Sequence, residues 1–183
     1  MSAVVSEIFD LFARFGSERY GEDICLERHM LQTAALAQSV GAPGSVVVAA
    51  LLHDIGHLLH ARDAATAGQG RDTEHEAFGA AWLSRAFDRD VTAPIALHVS
   101  AKRYLCAVEP GYFERLSAAS RLSLALQGGA MSDDEALAFA KEPAFEAALI
   151  LRRCDDDGKD ASVRTPDIEH YRGLLTASLR PPN

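Results

Sequence analysis

The run Ala50-Leu51-Leu52-His53-Asp54-Ile55-Gly56-His57-Leu58-Leu59-His60 sets polar, metal-competent side chains inside an otherwise apolar helix, and it constrains the chain more than any other stretch. The residues ahead of it, Ser45-Val46-Val47-Val48-Ala49-Ala50-Leu51-Leu52, read as a helix with a Ser N-cap and apolar side chains on nearly every face, the pattern of a buried element. His53 and Asp54 are then interior residues. A buried carboxylate is costly unless it is paired or coordinates a metal, and His53 and His57 lie one helical turn apart beside it. A core histidine hydrogen-bonded to a carboxylate would satisfy the same requirement, so the pair by itself leaves both readings open.

The remainder of the chain shifts the balance. A metal needs further imidazole or carboxylate ligands from other segments. The sequence offers His29 on an earlier helix, His75 and His98 on later ones, and Asp155 near the end of another. Of seven histidines only His60 and His170 are left without an evident role. For His29, taken alone beside the apolar stripe Leu26, Met30, Thr33, Ala37 and Val40, a core histidine remains the alternative.

Helical spacing recurs along the whole chain, and no strand pattern, internal repeat or low-complexity tract interrupts it. Val5, Ile8, Leu11, Phe12 and Phe15 form one amphipathic face ended by Gly16. Gly41-Ala42-Pro43-Gly44 breaks the second helix, and Ala61 to Arg71 reads as a surface loop. Thr73 with Glu76 and Ser132 with Glu135 are capping boxes, the first placing His75 in an opening turn. Thr92-Ala93-Pro94 is a helix start, after which His98 and Lys102 share a face. Ser117 caps a helix on which Ser120 and Gln127 fall on one side, and Arg152 and Asp155 share a face of the helix opened by Pro143. A last helix starts at Thr165-Pro166. The expectation is an all-α fold forming one domain over residues 1–183, long enough for a full core.

A formal net charge of -8 argues against general binding of nucleic acid, which needs a surplus of Lys and Arg on one face. An anionic small molecule would need a local positive site, and metal ions with a few basic side chains supply one. Lys102 is placed for that, one turn from His98, although by residue type alone it reads as a solvated surface lysine. No window approaches 18 uncharged apolar residues and the first residues lack a basic, then apolar, leader, so neither membrane nor secretion is expected and the chain reads as cytoplasmic. Cys25, Cys106 and Cys154 form no even disulfide set and are expected to be reduced.

The order of one His, then His53-Asp54, then two further histidines and a distant Asp resembles the dinuclear branch of the HD-domain superfamily, an all-helical fold. His98-Val99-Ser100-Ala101-Lys102-Arg103-Tyr104-Leu105, Gln127-Gly128-Gly129-Ala130-Met131, Arg152-Arg153-Cys154-Asp155 and Glu169-His170-Tyr171-Arg172 are similar to the HD-domain mixed-valent di-iron oxygenases that cleave phosphonates, relatives of myo-inositol oxygenase. That resemblance implies a helical bundle around two iron ions, Fe(II)/Fe(III), one held by His29, His53, Asp54 and Asp155 and the other by the bridging Asp54 with His75 and His98. It implies that O2 cleaves the carbon–phosphorus bond of a 1-hydroxyphosphonate, with Asp54, His57 and Lys102 as catalytic residues. His57, Lys102, Ser120, Gln127 and Arg152 would bind the phosphonate. The 1-hydroxyphosphonate would be either the 2-trimethylamino compound, giving glycine betaine and phosphate, or the unmethylated 2-amino compound, giving glycine. The shifted spacing of Tyr20 and Glu22, with an aromatic contact from Tyr20 or Tyr104, favours the trimethylated one, since a quaternary ammonium prefers aromatic faces. A divalent-metal phosphohydrolase acting on a nucleotide is the alternative within the superfamily.

Overall fold

Seven consecutive apolar side chains, Val46 to Leu52, are buried on helix α3 (Gly44–Leu52), and this all-round burial makes α3 the centre about which the other helices pack. Each large side chain so buried contributes roughly 1.5–3 kcal/mol. The computed structural model describes residues 2–19, 23–67 and 74–181. Ahead of α3 lie α1 (Ala3–Phe15) and α2 (Leu26–Ser39); after it come α4 (Ile55–Ala67), α5 (His75–Leu83) and α6 (Arg89–Val108). The chain continues through α7 (Tyr112–Arg115), α8 (Ala118–Leu126), α9 (Asp133–Phe139) and α10 (Phe145–Asp157), then a 3-10 turn (Ile168–Tyr171) and α11 (Arg172–Ala177). Among the described residues the only β-type pairing is an isolated bridge between Phe87 and Leu179.

Helix α3 touches α2, α6 and α10, and α10 lies against both α2 and α6, so four helices enclose one interior. The chain leaves α3 through a turn at His53-Asp54 and re-enters a helix at Ile55, which places both polar residues at the inner end of α3. Helix α5 then crosses α4 at two glycines. A Cβ on Gly56 would lie 2.1 Å from the His75 carbonyl oxygen, and one on Gly79 would lie 3.1 Å from the Gly56 nitrogen. Only glycine at Gly56 lets the backbone that carries His75 come this close to the His53-Asp54 turn.

Several element boundaries differ from the sequence expectation, for local reasons. Helix α3 begins at Gly44 behind Pro43 rather than behind a Ser45 cap. Helix α6 begins at Arg89 behind Asp88, so Pro94 sits inside it instead of in its opening turn. The stretch after His60 is helical to Ala67 rather than a loop from Ala61, and Thr73 of the first expected capping box lies outside the described residues. Val40 caps α2 and is 65% exposed, so it is not part of the buried stripe. The final helix is split into the 3-10 turn, capped by Asp167, and α11. The Ser132–Glu135 capping box and the Ser117 cap are both formed. Counting its polar residues, Gly44–Asp63 is long and apolar enough to cross a membrane by composition, and 72% of it is buried inside the fold.

Candidate metal centre and anion pocket

Asp54, 4% exposed, points one carboxylate oxygen at each of two histidine clusters. Its Oδ2 lies 3.5 Å from His29 Nε2 and 3.4 Å from His53 Nε2. Its Oδ1 lies 3.2 Å from His75 Nε2 and 3.9 Å from His98 Nε2. Within the clusters, the Nε2 atoms of His29 and His53 are 3.1 Å apart and those of His75 and His98 are 3.3 Å apart. Asp155 Oδ1 adds to the first cluster, 3.3 Å from His29 Nε2 and 3.9 Å from His53 Nε2. Ligand atoms bound at about 2.0–2.2 Å to a common ion stand roughly 3.0–3.5 Å apart, which is the spacing seen here.

Helix placement and outer contacts aim these rings. His29 comes from α2, His53 and Asp54 from the turn after α3, His75 from the start of α5, His98 from α6 and Asp155 from α10. The Nδ1 atoms of His29, His53 and His98 face the carbonyls of Gly158, Ala50 and Ile95 at 2.9, 2.9 and 2.8 Å. Donation from Nδ1 leaves the Nε2 lone pair directed inward, the tautomer a metal requires. His75 Nδ1 instead lies 3.4 Å from Glu76 Oε2.

The protonation pattern suits a cation. Burial favours the neutral form of every group here. For Asp54 the neighbouring His53, His57 and His75 overcome that and hold its carboxyl well below the usual carboxylate range. Arg152 and His29 do the same for Asp155. Burial pushes His53 down, and burial with His75 and His53 pushes His98 well down, so both imidazoles are neutral. In His29 burial is outweighed by the hydrogen bond and charge of Asp155, and its proton is held more tightly than usual. Two carboxylates and four imidazoles, buried and mostly in their ligating forms, fit a pair of divalent or trivalent ions without rearrangement.

Next to this cluster lies a set of cations unusual in an acidic protein. Lys102, 3% exposed, donates from Nζ to Ser123 Oγ at 2.7 Å. Burial and the nearby Arg152 push the Lys102 ammonium down to about 8. Lys159 donates to Ser120 Oγ at 2.9 Å and lies 3.9 Å from Asp155 Oδ1. Arg152 pairs through NH1 with Asp155 Oδ2 at 2.7 Å and through NH2 with Asp156 Oδ1. Its Nε and the Gln127 Oε1 are buried with no hydrogen-bond partner among the described residues. His57 stacks on His75 with ring centroids 4.2 Å apart and reaches to 4.0 Å from Asp54 Oδ1. These groups can receive a small, multiply charged oxyanion beside the metal centre.

All six residues expected to hold metal are thus brought together, with His57, Lys102 and Arg152 around them. Tyr104 is not brought to the site. Two residues beyond Lys102 on α6, it points away from that face and packs with Phe139 and Phe145, ring centroids 5.5 and 5.1 Å away. Tyr20 and Glu22 lie outside the described residues. Sequence reasoning overlooked Ser123 and Lys159. Ser123 lies one turn from Ser120 and was discoverable from that spacing; Lys159 stands beyond the end of α10, where helix periodicity no longer predicts direction.

A buried His-Asp turn at the hub of a helical bundle, with ligands converging from the surrounding helices, defines a metal-centred HD fold, and the chain belongs to the HD-domain family, whose model matches residues 26–155. Its similarity extends to individual proteins. It is 42% identical over 173 residues to the [1-hydroxy-2-(trimethylamino)ethyl]phosphonate dioxygenase (glycine-betaine-forming) of Leisingera caerulea, covering 94% of this chain and 88% of the relative. It is equally 42% identical over 176 residues to the hydroxymethylphosphonate dioxygenase of Gimesia maris, covering 96% and 88%. An uncharacterised protein of Acanthamoeba polyphaga mimivirus is 37% identical over 178 residues, covering 96% and 81%.

Proposed function

We propose that this chain is a di-iron dioxygenase that cleaves the carbon–phosphorus bond of a 1-hydroxyphosphonate, working as a single domain. The reading rests on one observation above the others: an Asp54 carboxylate shared between two histidine clusters, set beside an anion pocket with Lys102 and Arg152. The nature of the two relatives supports the same reaction class. Mixed imidazole and carboxylate donors suit iron. His29, His53, Asp54 and Asp155 would hold one ion, and Asp54, His75 and His98 the other. A mixed-valent Fe(II)/Fe(III) pair, when bound, supplies O2 activation and a Lewis acid for the substrate hydroxyl.

The reaction needs no external reductant over its cycle. The substrate supplies four electrons to O2 as C1 passes from alcohol to carboxylate and the carbon–phosphorus bond breaks; one oxygen atom enters each product and a proton is released. The protein's own residues bind and orient. Lys102, Arg152 and Gln127 hold the phosphonate oxygens, with Ser120 and Lys159 completing the pocket wall. His57, against His75, is within reach of the C1 side of that anion. The surrounding helices exclude water from the ligand cluster, four of whose six residues are at most 4% exposed.

For the group beyond C1 we favour the trimethylammonium substrate. Without Tyr104, an aromatic face for it falls to Tyr20, with Glu22 supplying charge. Withdrawal of Tyr104 into the Phe139–Phe145 cluster also gives ground to a second reading, hydroxymethylphosphonate, which has no amine to recognise. Phosphate release from the trimethylated, unmethylated and hydroxymethyl compounds, each in air, separates them. A clear preference for the trimethylated compound that is reduced by Tyr20→Ala is the expected result. Equal turnover of hydroxymethylphosphonate would overturn the amine assignment, and no release from any of the three would overturn the phosphonate reading.

A further inference from the structure

The first cluster is braced from behind by a relay that the proposed chemistry does not use. Tyr112, 4% exposed, opens α7 after Gly111, whose φ of +75° turns the chain back toward α10. Its hydroxyl donates to Asp156 Oδ2. The other Asp156 oxygen holds Arg152 NH2, and Arg152 NH1 holds Asp155 Oδ2 at 2.7 Å. Asp155 Oδ1 alone is then left facing His29, 3.3 Å away.

We infer that Tyr112 and Asp156 are positioning residues for the first metal subsite, acting through Arg152 to make Asp155 present one oxygen inward. Arg152 sits among like charges, with Lys102 and Lys159 nearby, so its place depends on the two carboxylates that flank it. Asp156 is one of them, and Tyr112 fixes which way Asp156 faces. If Tyr112 loses its hydroxyl, Asp156 and then Arg152 gain freedom, and Asp155 Oδ2 is no longer withheld from the cluster. The second subsite, built from Asp54 Oδ1, His75 and His98, shares no member of this relay. An effect confined to one subsite is therefore the signature of the relay, whereas a general loss of packing would touch both. Outer partners of ligands tune metal affinity by roughly 10–100-fold.

The inference rests on the dinuclear reading, and the test separates the two. Full-length protein is stripped and titrated with Co(II), following its visible absorption, as wild type, Tyr112→Phe, Asp156→Asn and Asp156→Glu. Wild type is expected to bind two ions. Tyr112→Phe, which removes a single oxygen atom and keeps the ring, is expected to weaken one ion by about tenfold and the other by less than about twofold. Asp156→Asn should do the same more strongly, with partial recovery in Asp156→Glu. In a His75→Ala background the one remaining ion should still respond to Tyr112→Phe. Wild type binding fewer than two ions overturns the dinuclear reading. Two ions in wild type that are unaffected, or equally weakened, in Tyr112→Phe overturn the relay.

Discussion

Asp54 and Lys102 show how differently two buried charges can be used. Asp54 touches both clusters, so Asp54→Ala is expected to lose both metals, measured by metal analysis of protein purified without chelator. Lys102 contacts Ser123 and no proposed ligand at bonding distance, so Lys102→Ala should keep both metals and raise KM by roughly 10–100-fold. The Lys102 ammonium, pushed down to about 8 by burial and by Arg152, also sets a pH dependence. Below that value it is charged and binds the anion. Above it the free protein loses the proton, and affinity should fall by up to about tenfold per pH unit, a fall that Lys102→Arg should remove. At this scale the sequence was informative about ligands, because His and Asp inside an apolar run announce themselves. It was misleading for Tyr104, where residue type suggested a substrate contact and the aromatic neighbours Phe139 and Phe145, distant in sequence, claimed the ring.

Between elements, the α4–α5 crossing governs where the second subsite forms. Gly56 has no room for a methyl group against the His75 carbonyl oxygen, a backbone atom that moves only if α5 moves. Gly56→Ala is therefore expected to destabilise the fold by about 2 kcal/mol or more and to weaken the His75–His98 subsite. Gly79→Ala, with its nearest contact at 3.1 Å, should cost less on both counts. Denaturant unfolding and metal titration of the two variants test that order. The sequence showed Gly56 only as part of a His-Asp run, since a close approach depends on a helix more than twenty residues away. The elements themselves were largely legible from periodicity and caps, as at Ser117 and Ser132. Ends without a side-chain cap were not: α3 starts behind Pro43, and α6 starts behind Asp88 without a capping hydrogen bond from it.

Across the whole molecule, ligands drawn from α2, the α3–α4 turn, α5, α6 and α10 mean that bound ions tie together helices that otherwise meet through apolar contact. Without ions the carboxylates and imidazoles remain crowded in the interior. Saturating metal at about 100 times its Kd adds roughly 2.7 kcal/mol for each ion, so chelation should lower Tm by at least about 5 °C. Asp54→Ala should show no such response to added iron, as read by thermal unfolding with and without metal. The negative net charge seen in the sequence did not forbid an anionic substrate, because Lys102, Arg152 and Lys159 gather from α6 and the α10 region into one pocket. The account's central claim is that O2, not water, breaks the substrate, and simultaneous measurement of oxygen uptake and phosphate release tests it most directly. Using the trimethylated 1-hydroxyphosphonate, or hydroxymethylphosphonate if that is the compound turned over, the account predicts one O2 consumed for each phosphate released and no sustained release under strict anaerobiosis. Phosphate release that continues at the same rate without oxygen would contradict it and make the protein a hydrolase.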